Sequence, residues 1–157
     1  MAKNNIGIEI KKADQLIQKL NELLANTQVF YVNVRGLHWN IQGDKFFELH
    51  MKFEELYNDL NLKVDEIAER ILTLGGQPFH AYSQYLKEAS IKELKDIKSA
   101  TPAVTAIVKS LGILIELERK LLALANQAGD EGTSTLISDY ISMQEKQSWM
   151  YSAYLKK

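Results

Sequence analysis

The chain has 157 residues, no cysteine and a formal net charge of −1. That length fits a single domain with a sizeable core, and the missing cysteines exclude disulfides, thiolate metal sites and cysteine nucleophiles. Near-neutral charge argues against a protein that lives by coating phosphate backbones, which takes a basic excess or a basic tail. No run approaches about 18 consecutive apolar residues, so no membrane span is expected. MAKNNIGIEIKK lacks an apolar stretch of signal-peptide length, and the cytoplasm is the default compartment.

Only two prolines and eight glycines punctuate the chain, and they fall at the joints. The first segment carries Ala13, Leu16, Ile17, Leu20, Leu23, Leu24, Phe30, Tyr31 and Val34, the stripe of an amphipathic helix. Gly36 and Gly43 bracket a short turn, and Asp44 is placed to cap a second helix. The stripe of that helix runs from Phe47 through His50, Phe53, Tyr57, Leu60, Val64 and Ile67 to Ile71, ending at Gly75-Gly76 with Pro78 beyond. Its histidine and acids are expected within the apolar face.

Residues 77–100 are more polar and read as a crossover, with a short helix in YSQYLKEA. Thr101-Pro102 gives a cap followed by proline at the first helical position. A third main helix then carries Val104, Ile107, Leu111, Leu114 and Leu121 towards Gln127. Gly129 and Gly132 mark the last joint, and Ile137, Tyr140, Ile141 and Trp149 lie on a fourth. There is no internal repeat or low-complexity tract. The expected architecture is all-α over residues 1–157: two helical hairpins joined by one long crossover holding a short helix, the ferritin-like form of four-helix bundle.

The chain has three histidines, and His38 and His50 fall in RGLHWNIQGDKFFELHMKFEELYNDLNLKVDEIAER with Asp65 and Glu69 behind them. On one helix Glu54 and Asp65, eleven residues apart, differ by about 20° of rotation. His50 and Glu54 are one turn apart, as are Asp65 and Glu69. Along the axis, however, His50 and Asp65 are separated by roughly 22 Å, so one straight helix cannot bring them to one ion. Two copies laid antiparallel about a two-fold axis bring His50 of each to Asp65 and Glu69 of the other, with His38 free to swing in beside His50. Imidazole with carboxylate suits iron, zinc or manganese. The alternative has His50 as a satisfied interior histidine, His38 as a turn residue, and Asp65 and Glu69 paired with Lys63 and Arg70 or solvated. Spacing alone leaves both open. It does exclude a Glu-x-x-His di-iron motif, since Arg35, Phe47 and Gln77 precede the histidines by three. His80 is expected on the surface.

The stretch NVRGLHWNIQGDKFFELHMKFEELYNDLNLKVDEIAERILTLGGQP, with EKQSWMYSAYL near the C-terminus, strongly resembles the Dps family, the DNA-binding proteins from starved cells or mini-ferritins. The likeness extends over nearly the whole chain. It implies a hollow shell of twelve subunits that oxidises Fe²⁺, preferably with hydrogen peroxide, and stores ferric mineral. It places the ferroxidase site at the two-fold interface. Asp65 and Glu69 would anchor the first iron, His38 and His50 would come from the other subunit, and Glu54 would hold a second, weaker iron. Trp39 resembles an aromatic set near that site; as a bare sequence feature it reads equally as a core or interface tryptophan.

The same resemblance implies acid-lined pores near the start of the last helix, for which Asp130, Glu131 and Asp139 are candidates. Thr135 stands where some members carry an acid. DNA binding is the family's namesake, but the terminal lysines are few (Lys3, Lys11 and Lys12; Lys156 and Lys157). Lysines 87, 92, 95 and 98 alternate with Glu88, Glu93 and Asp96. Weak or absent DNA affinity is expected, with a nucleoid-coating protein bearing a secondary metal site as the alternative. A third possibility is a helical assembly whose histidines merely pack.

Overall fold

The computed structural model describes residues 1–156, so Lys157 lies outside the described residues. Five helices succeed one another: α1 (Ile10–Asn40), α2 (Phe46–Thr73), α3 (Tyr82–Glu88), α4 (Ala100–Ala128) and α5 (Glu131–Leu155). α1 pairs with α2, α4 pairs with α5, α4 lies along α1, and the short α3 rests on α1. This is the four-helix bundle with one long crossover that the apolar stripes predict. Leu16, Leu20, Leu23 and Phe30 of α1 meet Phe53, Leu60, Ile67 and Ile71 of α2. Ile107, Leu111, Leu114 and Leu121 of α4 and Ile137 of α5 complete the core. Each such side chain contributes about 1.5–3 kcal/mol by leaving water.

α4 is long and apolar enough, at mean hydropathy 1.5, to match a membrane span by composition. Here one face is packed in the bundle and the other exposes Lys109, Glu116, Arg119 and Lys120.

Three boundaries differ from the sequence reading. α1 does not stop near Gly36 but runs on to Asn40, so His38 sits in its last turn rather than in a loop. Glycine in a helix interior costs about 1 kcal/mol, which is outweighed here by burying Leu37 and His38 on the added turn. Asp44 does not cap α2: Lys45 holds that position, with no side-chain cap bond. The turn depends instead on Gly43, whose φ of 108° only glycine adopts freely. α4 begins at Ala100 with Ser99 as its N-cap, which puts Thr101 and Pro102 two residues further in. Pro102 is still tolerated there because the first four helical N–H groups have no intrahelical acceptor.

Three buried asparagines of α1 hold the crossover. Asn21 donates to Gln77 O (3.1 Å) and accepts from Phe79 N (2.8 Å). Asn26 accepts from Ser90 N and Ile91 N, both at 2.9 Å. Asn33 donates to Lys92 O and accepts from Leu94 N, again at 2.9 Å. A buried amide is costly without partners, and these partners exist only where the crossover lies against α1.

The N-terminal segment is also tied down. Asn4 donates to Leu74 O (3.1 Å) and accepts from Ile8 N (2.9 Å), and a bridge joins Lys3 to Glu9.

At the α4–α5 joint Asp130 caps α5, accepting from Thr133 N at 3.0 Å and from Arg70 Nη2 at 2.7 Å, while Arg70 Nε donates to Thr133 Oγ1 at 2.8 Å. Gly132 leaves room for that guanidinium, since a Cβ there would lie 2.7 Å from Arg70 Nη1. Asp130→Ala removes a cap and strands a half-buried cation, and should lower unfolding stability by about 3 kcal/mol. Urea titration of variant and parent measures this; a change within about 0.5 kcal/mol, the range of ordinary surface substitutions, would show that the clamp is not holding the joint.

Candidate metal centre

The end of α1 and the start of α2 bring His38 and His50 together. Their rings stack at 3.8 Å between centroids, 14° from parallel. The contact is reciprocal: His38 Nδ1 donates to His50 O at 2.7 Å, and His50 Nδ1 donates to His38 O at 2.8 Å. A carbonyl oxygen only accepts, so each Nδ1 must carry the proton, and in the neutral ring the lone pair is then left on Nε2. Among the described residues neither Nε2 has a hydrogen-bond partner. The arrangement is the one a metal-ligating imidazole needs, with its second nitrogen fixed by an outer partner. His38 is buried and His50 half-buried. Tyr57 stands edge-on to His38 at 5.2 Å, and Phe46 stacks on the far side of His50 at 5.0 Å.

The carboxylates lie elsewhere on α2. The inward face of that helix is Leu49, Phe53, Leu56, Leu60, Lys63, Ile67 and Ile71. Glu54, Asp65 and Glu69 occupy the exposed stripe beside it, not the apolar face expected for them. The expectation took Phe47 as inward; Phe47 is 78% exposed and Leu49 only 4%, which turns the buried face away from the acids. The cations that a structural role would give Asp65 and Glu69 are committed elsewhere, Lys63 to Asp59 and Arg70 to Asp130. Among the described residues, neither carboxylate makes an ion pair. Within one chain no three His, Asp or Glu side chains of the described residues converge on a point a metal could occupy. One end of α2 holds two imidazoles and the other two carboxylates, roughly 22 Å apart by helical rise.

The remaining candidates separate cleanly. Trp39 is not a core residue: it is 63% exposed. The Arg35 guanidinium lies 4.8 Å over its ring and also faces Tyr31 and Tyr57. Asp130, buried and committed to Arg70 and the α5 cap, offers no free carboxylate to a channel. Glu131, Asp139 and Thr135 are exposed. His80 is exposed in the crossover, its Nδ1 donating to Pro78 O at 3.1 Å.

The sequence reading missed a second polar locus, inside the bundle between α2, α4 and α5. Lys63, Glu118, Tyr140 and Gln144 are all buried there. Burial pushes the Glu118 carboxyl up to about 8, opposed by Gln144 beside it and by the charges of Lys63 and Arg119. The signal was present, since Glu118 continues the Leu111–Leu114–Leu121 stripe of α4 and Lys63 the Leu56–Leu60–Ile67 stripe of α2.

Comparison with known proteins gives this arrangement its context. Residues 17–157 match the ferritin family's Ferritin-like domain, so the chain belongs to the ferritin-like proteins. The DNA protection during starvation protein of Porphyromonas gingivalis is 43% identical over 151 residues, 96% of this chain and 95% of that one. A Dps crystal structure from Vibrio cholerae, described as a member of a broad superfamily of ferritin-like diiron-carboxylate proteins, superimposes with a TM-score of 0.98 at 54% identity, covering 99% of this chain and 98% of that one. Within the ferritin-like proteins the chain is therefore a member of the Dps family. A Dps structure from Listeria innocua (TM-score 0.87, 30% identity, 90% of this chain and 95% of that one) carries two histidine-to-glycine changes at the spacing that separates His38 from His50.

The histidine lock is itself testable. Nitrogen-15 solid-state spectra of histidine-labelled protein at neutral pH and without metal should show the rings of His38 and His50 protonated at Nδ1. A majority of Nε2–H tautomer would mean that the reciprocal carbonyl contacts do not form.

Proposed function

We propose that two copies dock α2 against α2 about a two-fold axis, so that the His38–His50 pair of one subunit faces Asp65 and Glu69 of the partner subunit. There the protein binds Fe²⁺ as its substrate and oxidises it, with hydrogen peroxide the preferred oxidant. The ferric product is stored inside a shell of twelve such chains. The observation that carries this reading is the locked imidazole pair, two free Nε2 donors held at one end of α2 with unpaired carboxylates at the other. Membership of the Dps family supports the assembly and the substrate.

The donor set fits the task. Neutral Nε2 donors and carboxylates both accept Fe²⁺, and the hard anionic oxygens favour Fe³⁺ more strongly, which drives oxidation. Peroxide needs two electrons to break its O–O bond into two hydroxides, and each Fe²⁺ supplies one. A lone iron would deliver a single electron and release hydroxyl radical. Glu54, one turn from His50 on the exposed stripe, is placed to hold the second ion. Trp39, exposed beside His38, is available to intercept stray oxidising equivalents. Glu131 and Asp139 remain the acids able to concentrate cations at a channel.

DNA coating is the weaker reading. The N-terminal segment is pinned to the bundle through Asn4 rather than left as a free basic arm. The exposed lysines 87, 92, 95 and 98 are interleaved with the equally exposed Glu88, Glu93 and Asp96. Binding that depends on counterion release should therefore vanish near physiological salt. A gel shift at low and at physiological salt checks this, and retardation persisting at the higher salt would restore the nucleoid reading. The cytoplasm is the compartment that suits either activity.

The inter-subunit site has a complementation signature. His50→Ala and Asp65→Ala should each assemble but oxidise Fe²⁺ at least tenfold more slowly, followed by ferric absorbance after adding peroxide or air to anaerobically loaded protein. Mixing and reassembling the two variants should recover about a quarter of the parent's sites, because half the dimers are mixed and each mixed dimer rebuilds one intact site of two. No recovery, with mixed dimers verified, would place both residues in one chain's site or in none. Parent rates equal to iron in buffer would remove the ferroxidase reading itself.

A further inference from the structure

Lys63 carries a buried ammonium into the seam between α2 and α5. An ammonium has three N–H donors. Here it pairs with the Asp59 carboxylate, faces the Tyr140 ring at 5.2 Å, and donates to Met143 Sδ at 3.3 Å. A thioether is a weak acceptor, so a buried cation spends one donor on a partner that returns little. Met143 itself is 47% exposed, and this side chain stands between the ammonium and solvent. Met51 and Met150 are comparably exposed, but among the described residues neither sulfur accepts a hydrogen bond.

We propose that Met143 is a site of reversible oxidation by hydrogen peroxide, with the sulfoxide oxygen taken up by the Lys63 ammonium. A sulfur lone pair attacks one oxygen of the peroxide and an S–O bond forms as the O–O bond breaks. The departing oxygen leaves as water with both protons, so sulfur is oxidised by two electrons and peroxide is reduced by two. Negative charge develops on the transferred oxygen, and a fixed cation beside it lowers the barrier. The unbranched methionine side chain is flexible enough to draw back and admit that oxygen. Sulfoxide formation ordinarily disturbs a fold by making an apolar side chain polar. At this position it replaces a weak acceptor with a strong one and joins α5 to α2 by a charge-assisted hydrogen bond. Peroxide is consumed without iron and without a radical, and methionine sulfoxide reductases restore the thioether. This chemistry needs no metal and is independent of the interface site.

Metal-free protein with a chelator present is treated with hydrogen peroxide, and oxygen addition at each methionine is followed by peptide mass spectrometry. Met143 should be oxidised at least about threefold faster than Met150, whose exposure is similar. Lys63→Leu should remove that lead. The oxidised protein should melt about 4 °C above the reduced protein, and Met143→Leu should show no rise under the same treatment. A Met143 no faster than Met150 overturns the proposal, as does a lead that survives Lys63→Leu or a melting temperature that falls on oxidation of Met143. Should Lys63→Leu not fold, Met143→Gln presents a carbonyl oxygen to the same ammonium. A melting temperature above that of Met143→Leu then supports the proposal, and one at or below it overturns it.

Discussion

The unbroken length of α2 governs the rest of the molecule. A helix of 28 residues from Phe46 to Thr73 holds His50 and the Asp65–Glu69 pair too far apart to share an ion. No side-chain rearrangement within one chain closes that gap. Three polar contacts hold this rod in its register: the ring of His38 on His50 from α1, Asp130 on Arg70 from the α5 cap, and Tyr140 of α5 over Lys63. With these cations used inward, the carboxylates of Asp65 and Glu69 stay exposed and unmatched among the described residues.

The bundle treats its buried polar groups in two ways. Along α1 the three buried asparagines are satisfied, since Asn21 and Asn33 exchange hydrogen bonds with crossover backbone and Asn26 accepts two from it, on groups that helix ladders leave unpaired. These contacts turn a polar, lysine-rich connection into a fixed part of the structure. Between α2, α4 and α5 the pairing is incomplete: Lys63 pairs with Asp59 and rests on Met143 Sδ at 3.3 Å, while the nearby Glu118 Oε2 and Gln144 amide make no well-formed bond among the described residues. Satisfied groups specify the fold, whereas unsatisfied ones mark chemistry the fold does not itself require.

The histidine pair shows how backbone and site are coupled. The carbonyl of His38 is one of the last four of α1, which have no intrahelical donor. His50 supplies that donor and receives the equivalent bond in return. One exchange thus terminates a helix, joins the hairpin and sets the tautomer of both rings. Extending α1 through Gly36 is what makes this possible, because only a helical last turn aims the ring of His38 at α2.

Apolar spacing in the sequence was enough to determine the four long helices and their order, and polar composition the crossover between them, because a repeating 3.6-residue stripe calls for a helix with one side in the core. The same arithmetic established that His50 and Asp65 cannot meet on one helix, a consequence of rise per residue alone. The tertiary structure decided what depends on partners distant in sequence. It set which face of α2 turns inward, by burying Leu49 and exposing Phe47. It gave the carboxylate of Asp130 to Arg70, sixty residues away in the chain. It placed the proton on Nδ1 of both histidines through carbonyls that no sequence pattern displays. A stripe shows that a side chain is buried; only packing shows what it is buried against, and that neighbour decides whether a charge is spent inside the chain or left free for a metal.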